Sequence, residues 1–231
     1  PNFASVATTD EGVFKTQDDW GDSYYFRGAV NNNWVSFAGY YWRIIRINGD
    51  GSIRMIYSGN GSPATTGTGT QIGTNTFSIN GSTYNNNAYV GYMYTIGEQH
   101  GTSQSSDIKT YLDNWYANYT DLNKTGTKIT DQIYCNDRTV STSDVAYSTT
   151  NYTTLTIWNS TGTEYYYGAS GRIAKDNNPM LTCAVDSDRF TVNKINGKGN
   201  SALTYPIGFI TIDELEMAGN TTRESNTSYN L

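Results

Sequence analysis

The sequence predicts an α+β fold, mainly antiparallel β, with two short helices over about residues 105–118 and 211–218. Three observations predict it. The 25 Asn and 23 Gly, which favour turns, are dispersed among 33 Thr and 20 Tyr, which suit pleated surfaces. The run from Tyr40 to Tyr57 is apolar and extended on both sides of Asn48-Gly49-Asp50-Gly51, whose dipeptides accept the positive φ of a hairpin turn. Only two segments combine helical periodicity with capping residues.

In chain order, residues 1–19 read as a polar, loosely held lead-in. Tyr24–Val30 is a strand, Asn31–Asn33 a turn, and Trp34–Ile47 a second extended run with a bend or bulge at Gly39. Ser52–Ser58 returns antiparallel. Alternation puts Trp42, Ile44 and Arg46 on one face and Arg43, Ile45 and Ile47 on the other. A strand apolar on both faces is central and covered on both sides, which sends its arginines to the sheet margin as ion pairs. Residues 59–87 read as a surface excursion holding one short strand, Thr76–Ile79.

Ser105–Thr120 is the stronger helix. Ser106 can cap it, Asp107 suits the positive end of the dipole, and Ile108, Tyr111, Leu112 and Trp115 form one stripe. Thr211 and Glu214 fit a capping box at the second helix, and Gly219 suits its stop. Strands are expected near residues 129–135, 154–158 and 180–183. With no composition break, residues 1–231 are read as one extracellular domain.

Charge and cysteine usage bound the function classes. Charged residues make up 16%, the net charge is −6, and no basic tail or helix is present, so nucleic acid is not an expected partner. No apolar run approaches the length of a membrane span. The start at Pro1 raises the expectation of a removed upstream segment, and a membrane would be reached only through a segment outside this sequence. Cys135 and Cys183 are expected to pair in an oxidising compartment, the alternative being two buried thiols of a cytosolic protein.

No catalytic residues emerge. His100 is the only histidine and sits in a Gly-flanked polar loop, read as an exposed ring without a task. Zinc would need more closely paired ligands. Asp186 and Asp188 place two carboxylates on one side of an extended loop, an incomplete calcium arrangement, since hard cations take six or more oxygens. No cofactor is therefore expected, with calcium the one candidate. Carboxylates also gather at Asp18, Asp19 and Asp22 and at Asp213, Glu214 and Glu216, of which Asp213 and Glu214 are explained by a helix N-terminus. Tyr165, Tyr166 and Tyr167 are the candidate exposed patch, able to stack on a sugar or anchor a protein.

Four segments, residues 23–59, "SSDIKTYLDNWYAN" at 105–118, "IYCNDRT" at 133–139 and "LTYPIGFITIDELEMAGN" at 203–220, appear in this order. Together they resemble an uncharacterised family of secreted and surface domains of low-GC Gram-positive bacteria, over most of residues 20–220. The resemblance implies an extracellular β-rich domain with a C-type lectin-like or sulfatase-modifying-factor-like fold, and it carries over no catalytic residues. The family's closing segment, with a Trp-Ser-Pro-like motif and a final strand, is not found before Leu231. Three readings stay open: the sequence is truncated, this member has diverged, or a neighbouring subunit supplies the strand, and the last would make the protein an assembly unit. The expected function is then a non-enzymatic cell-surface or extracellular filament protein, adhesive or self-assembling by completing a sheet between subunits. Its partners would be copies of itself, a host or cell-surface protein, or a glycan. The alternative is a carbohydrate-binding, lectin-like module.

Overall fold

The computed structural model describes residues 1–7, 11–60, 68–75, 92–95, 98, 100–118, 128–139, 169, 172, 173 and 176–220. Their strands form antiparallel sheets, accompanied by two short helices. The main sheet has five strands: β1 (Gly12–Asp18), β2 (Gly21–Arg27), β3 (Trp34–Phe37), β4 (Tyr40–Ile47) and β5 (Ile53–Tyr57). Its spine is β4. One edge of β4 pairs with β5, while its other edge is shared in tandem, by β3 opposite residues 40–43 and by β2 opposite residues 46 and 47. Between those two partners Asn33 continues the ladder, accepting from the Ile44 N–H at 2.8 Å and donating from Nδ2 to the Ile44 carbonyl at 3.2 Å. β1 lies outside β2.

Two sequence expectations are corrected here. The run from Trp34 to Ile47 is not one bent strand but two, folded on each other at Ala38-Gly39, both with positive φ. The lead-in is not loose: Gly12–Asp18 pairs with β2 along its whole length, and Phe3 packs on the core formed by Tyr25, Leu181 and Met217. Arg27, fully buried, ties it down by donating to the Asn2 carbonyl at 3.0 Å while its guanidinium covers the Phe3 ring.

The hairpin at Asn48–Gly51 forms as expected, with the Asn48 N–H bonded to the Ser52 carbonyl at 2.8 Å. Gly49 is required there, because a Cβ would sit within 3 Å of the Gly21 nitrogen and the Asp18 carboxylate. The pairing of β4 with β5 shifts between Ile44 and Arg46, a bulge at Ile45. A bulge adds one residue and inverts the alternation beyond it. Arg43 therefore shares the inner face with Arg46 and Arg54, while Trp42, Ile44 and Ile47 share the outer face with Met55, Tyr57 and Ile53. The arginines are buried beneath the sheet rather than at its margin.

The inner face carries two apolar clusters. Tyr25, Leu181 and Met217 make one, with Phe14 stacked on Tyr25 at 5.9 Å. Tyr92, Phe190 and Leu203 make the other, with Tyr134 and Phe209 against them. Small two-stranded sheets join β6 (Met93–Tyr94) to β7 (Gln104–Ser105) and β8 (Tyr134–Cys135) to β9 (Arg189–Phe190). The expected strand at residues 180–183 is reduced to a bridge from Leu181 to Asp18, and those at 154–158 and 76–79 lie outside the described residues.

The helices are α1 (Asp107–Asn118) and α2 (Ile212–Met217). Ser106 accepts from the Lys109 N–H at 3.2 Å, as the cap predicts. The buried stripe of α1 is Lys109, Leu112 and Tyr116, rotated from the expected one, and Tyr111 is exposed, its hydroxyl donating to the Ile72 carbonyl at 2.9 Å. Lys109 can be buried because its ammonium meets Asp113 one turn on. Trp115 packs edge-on against Tyr57, so α1 touches one end of the outer sheet face.

Candidate functional site

The chemistry-bearing side chains converge on the inner face of the sheet. Arg46 and Arg54 are cross-strand neighbours, and two like charges so placed repel. Glu214 resolves the conflict: its Oε1 lies 3.2 Å from Arg46 Nε and 2.7 Å from Arg54 Nε. Its other oxygen accepts from the Thr211 N–H at 2.9 Å, while Thr211 Oγ1 accepts from the Glu214 N–H at 3.1 Å. The capping box is present, but its Glu also clamps the sheet. Arg46 further meets Asp18 at 2.7 Å, and Asp18 accepts from the Gly49 N–H at 2.9 Å. Arg54 donates to the Ile133 carbonyl at 3.0 Å and stacks on Tyr134 at 4.3 Å. Two guanidiniums and two carboxylates close a neutral, buried quartet.

Three smaller knots extend it. Arg172 bridges Asp213 and Asp137. Arg189 bridges Asp19 at 3.0 Å and Asp186 at 3.1 Å. Asp188, fully buried, binds Arg138 Nε at 2.8 Å, the Arg138 N–H at 3.0 Å and His100 Nδ1 at 3.0 Å. The disulfide Cys135–Cys183 stands beside this knot, with Cα atoms 5.6 Å apart and the Cys183 Sγ 3.5 Å from the Asp188 carbonyl.

The sequence-predicted site residues therefore separate. Cys135 and Cys183 are paired. Asp186 and Asp188 do not share a side of an extended loop. They occupy a 3₁₀ turn, which points Asp186 outward and Asp188 inward onto Arg138, so the calcium arrangement is replaced by ion pairs. His100 is half-buried against Asp188 rather than idle. Asp213 and Glu214 answer arginines as well as a helix end. Tyr165, Tyr166 and Tyr167 lie outside the described residues. Among the described residues no group of His, Cys, Asp and Glu has a metal-holding arrangement, and no helix is long and apolar enough to cross a membrane.

A cleft over the quartet is lined by Asp18, Trp20, Arg46, Gln132, Met180 and Asp213, and holds about 20 Å³ of space for water. That is space on the order of one or two water molecules. Its electrostatics set an acid response. Burial would raise Glu214, but Arg54 and then Arg46 outweigh it and hold the carboxyl below its ordinary 4.5. Stability from a depressed carboxyl is present above the unfolded value and lost as pH falls through the folded one. Asp213 acts oppositely, since burial, only partly offset by Arg172, raises it above 3.8, so its proton uptake favours the fold. The expected outcome is a melting temperature that drops as pH falls below about 4.5, with a shallower drop in Glu214→Gln, read by thermal melts from pH 7 to about 2.

Sequence reasoning missed the outer face. Lys15 opposes Tyr24, Tyr24 opposes Ile47, and Ile47 opposes Ile53, so one row crosses four strands. Val13 lies two residues along β1. Val13 is 56% exposed, Ile53 53%, Tyr24 41% and Ile47 39%. The available signal was the hairpin itself, because Ile47 and Ile53 flank the turn and must face each other once it closes. No protein-family model, curated protein or solved structure matches this chain.

Proposed function

We propose that this protein is a non-enzymatic bacterial cell-surface protein that works through its exterior, by adhesion or assembly. The observation that supports this reading best is the exposed apolar row Tyr24, Ile47 and Ile53 with Val13 beside it. A contiguous apolar patch with a polar rim, here Lys15, Gln17 and Asp22, marks an interaction surface. The disulfide fits an oxidising environment, as on a cell exterior. Arg46 and Arg54 on the inner face are matched by Asp18 and Glu214, which is the chemistry of a clamp. The resemblance to surface domains of Gram-positive bacteria, and with it the lectin-like fold, belongs to this proposal.

The test uses the chain applied to immobilised cell-envelope material, host glycoprotein and glycan. The variant Tyr24→Ser/Ile47→Thr/Ile53→Thr is expected to keep its disulfide and cooperative melt and to weaken surface binding by at least about tenfold. Binding that is unchanged in this variant, or absent from the native chain on every surface, counts against the reading.

A further inference from the structure

One edge of β1 pairs with β2, and its other edge carries, among the described residues, only the bridge from Asp18 to Leu181 at its far end. An extended backbone edge is a template for another strand. On the outer face β1 presents Val13 and Lys15, and Glu11 directly precedes the strand; all three are exposed. Val13 is the most exposed large hydrophobic residue among those described.

We infer that β1 pairs antiparallel with β1 of a second copy, in a register centred on Val13. This rests on the proposed assembly role and names its partner. An antiparallel two-fold pairing places residues of equal separation from the centre opposite each other, on the same face. Val13 then faces Val13 of the second copy, and Glu11 faces Lys15 in both directions. Two opposite charges flank an apolar centre, so the strip is complementary to itself. On the inner face Phe14 falls opposite Gly12, where a Cβ would meet nothing within 4 Å, so the ring has space. Centring on Phe14 would set each lysine against a valine, and centring on Lys15 would set lysine against lysine. The β5 rim is less suited, since Tyr57 is engaged by Trp115 of α1.

Within one chain both charges lean towards β2: Lys15 meets Asp22, and Glu11 Oε1 accepts from the Ala29 N–H at 3.3 Å. Both contacts are exposed and exchange readily for a cross-strand partner. This register pairs only residues 11–15 of each copy, less than a stable interface needs, so the association is concentration-dependent.

Sedimentation of the purified chain up to about 1 mM tests this, together with Glu11→Lys, Lys15→Glu and the charge-swapped double variant. Each single variant sets like charges opposite each other and is expected to weaken self-association about tenfold, and the double variant to restore it. Amide exchange in residues 11–15 is expected to slow as concentration rises. A chain that stays monomeric, or a dimer indifferent to these charges, overturns the inference. Surface binding by a monomer would still leave the proposed adhesive role standing, whereas loss of that binding with self-association intact would remove the role and keep the pairing.

Discussion

Glu214→Gln is expected to destabilise the protein by about 3–5 kcal/mol. The carboxylate is buried and shared by Arg46 and Arg54, which face each other across β4 and β5. Removing its charge leaves two desolvated guanidiniums, Arg46 with Asp18 and Arg54, among the described residues, without a carboxylate in contact. Their repulsion acts beside the bulge at Ile45. The amide can still serve the capping box through its oxygen, so the loss reports the clamp and not the cap. Urea unfolding followed by tryptophan fluorescence measures it. A change under about 1 kcal/mol would show that the quartet is solvated and loosely coupled.

Loss of the disulfide is the second large effect. Cys135 and Cys183 are 48 residues apart, and releasing a loop of that size costs about 4 kcal/mol on chain entropy. For a chain of 231 residues that corresponds to a fall in melting temperature of about 8–16 °C. The cost reaches beyond entropy, because the bond joins β8 to the loop that positions Asp188 under Arg138 and His100. The variant Cys135→Ala/Cys183→Ala and the reduced native protein are expected to melt alike. A melting temperature unchanged by dithiothreitol would contradict this.

What was legible in the sequence was local chemistry. Asn48-Gly49-Asp50-Gly51 announces its hairpin, and Thr211 with Glu214 announces a capping box, because turn and cap geometry depend on neighbours in sequence. The cysteine pairing followed from compartment. The clamp was not legible, because it depends on a bulge at Ile45 that no periodicity marks. Without that extra residue Arg46 would point away from Arg43, as strict alternation says. β1 was missed because Gly12–Asp18 places Val13 and Phe14 side by side and otherwise holds polar residues, so neither face reads as apolar. Asp188 was misread because its partner Arg138 is 50 residues away, beyond any motif. The exposed row on the outer face forms only when β1, β2, β4 and β5 are laid side by side.

Charges on the sheet and on α2 hold the inner face together as one coupled unit. A double-mutant cycle on Arg54→Met and Glu214→Gln tests it most directly. Glu214→Gln removes the carboxylate that Arg54 shares with Arg46, Arg54→Met leaves Glu214 with Arg46, and the pair of changes leaves Arg46 with Asp18. The expected result is a double variant more stable than the Glu214→Gln single, with a coupling energy of at least about 2 kcal/mol. A double variant whose loss equals the sum of the two single losses would contradict the account.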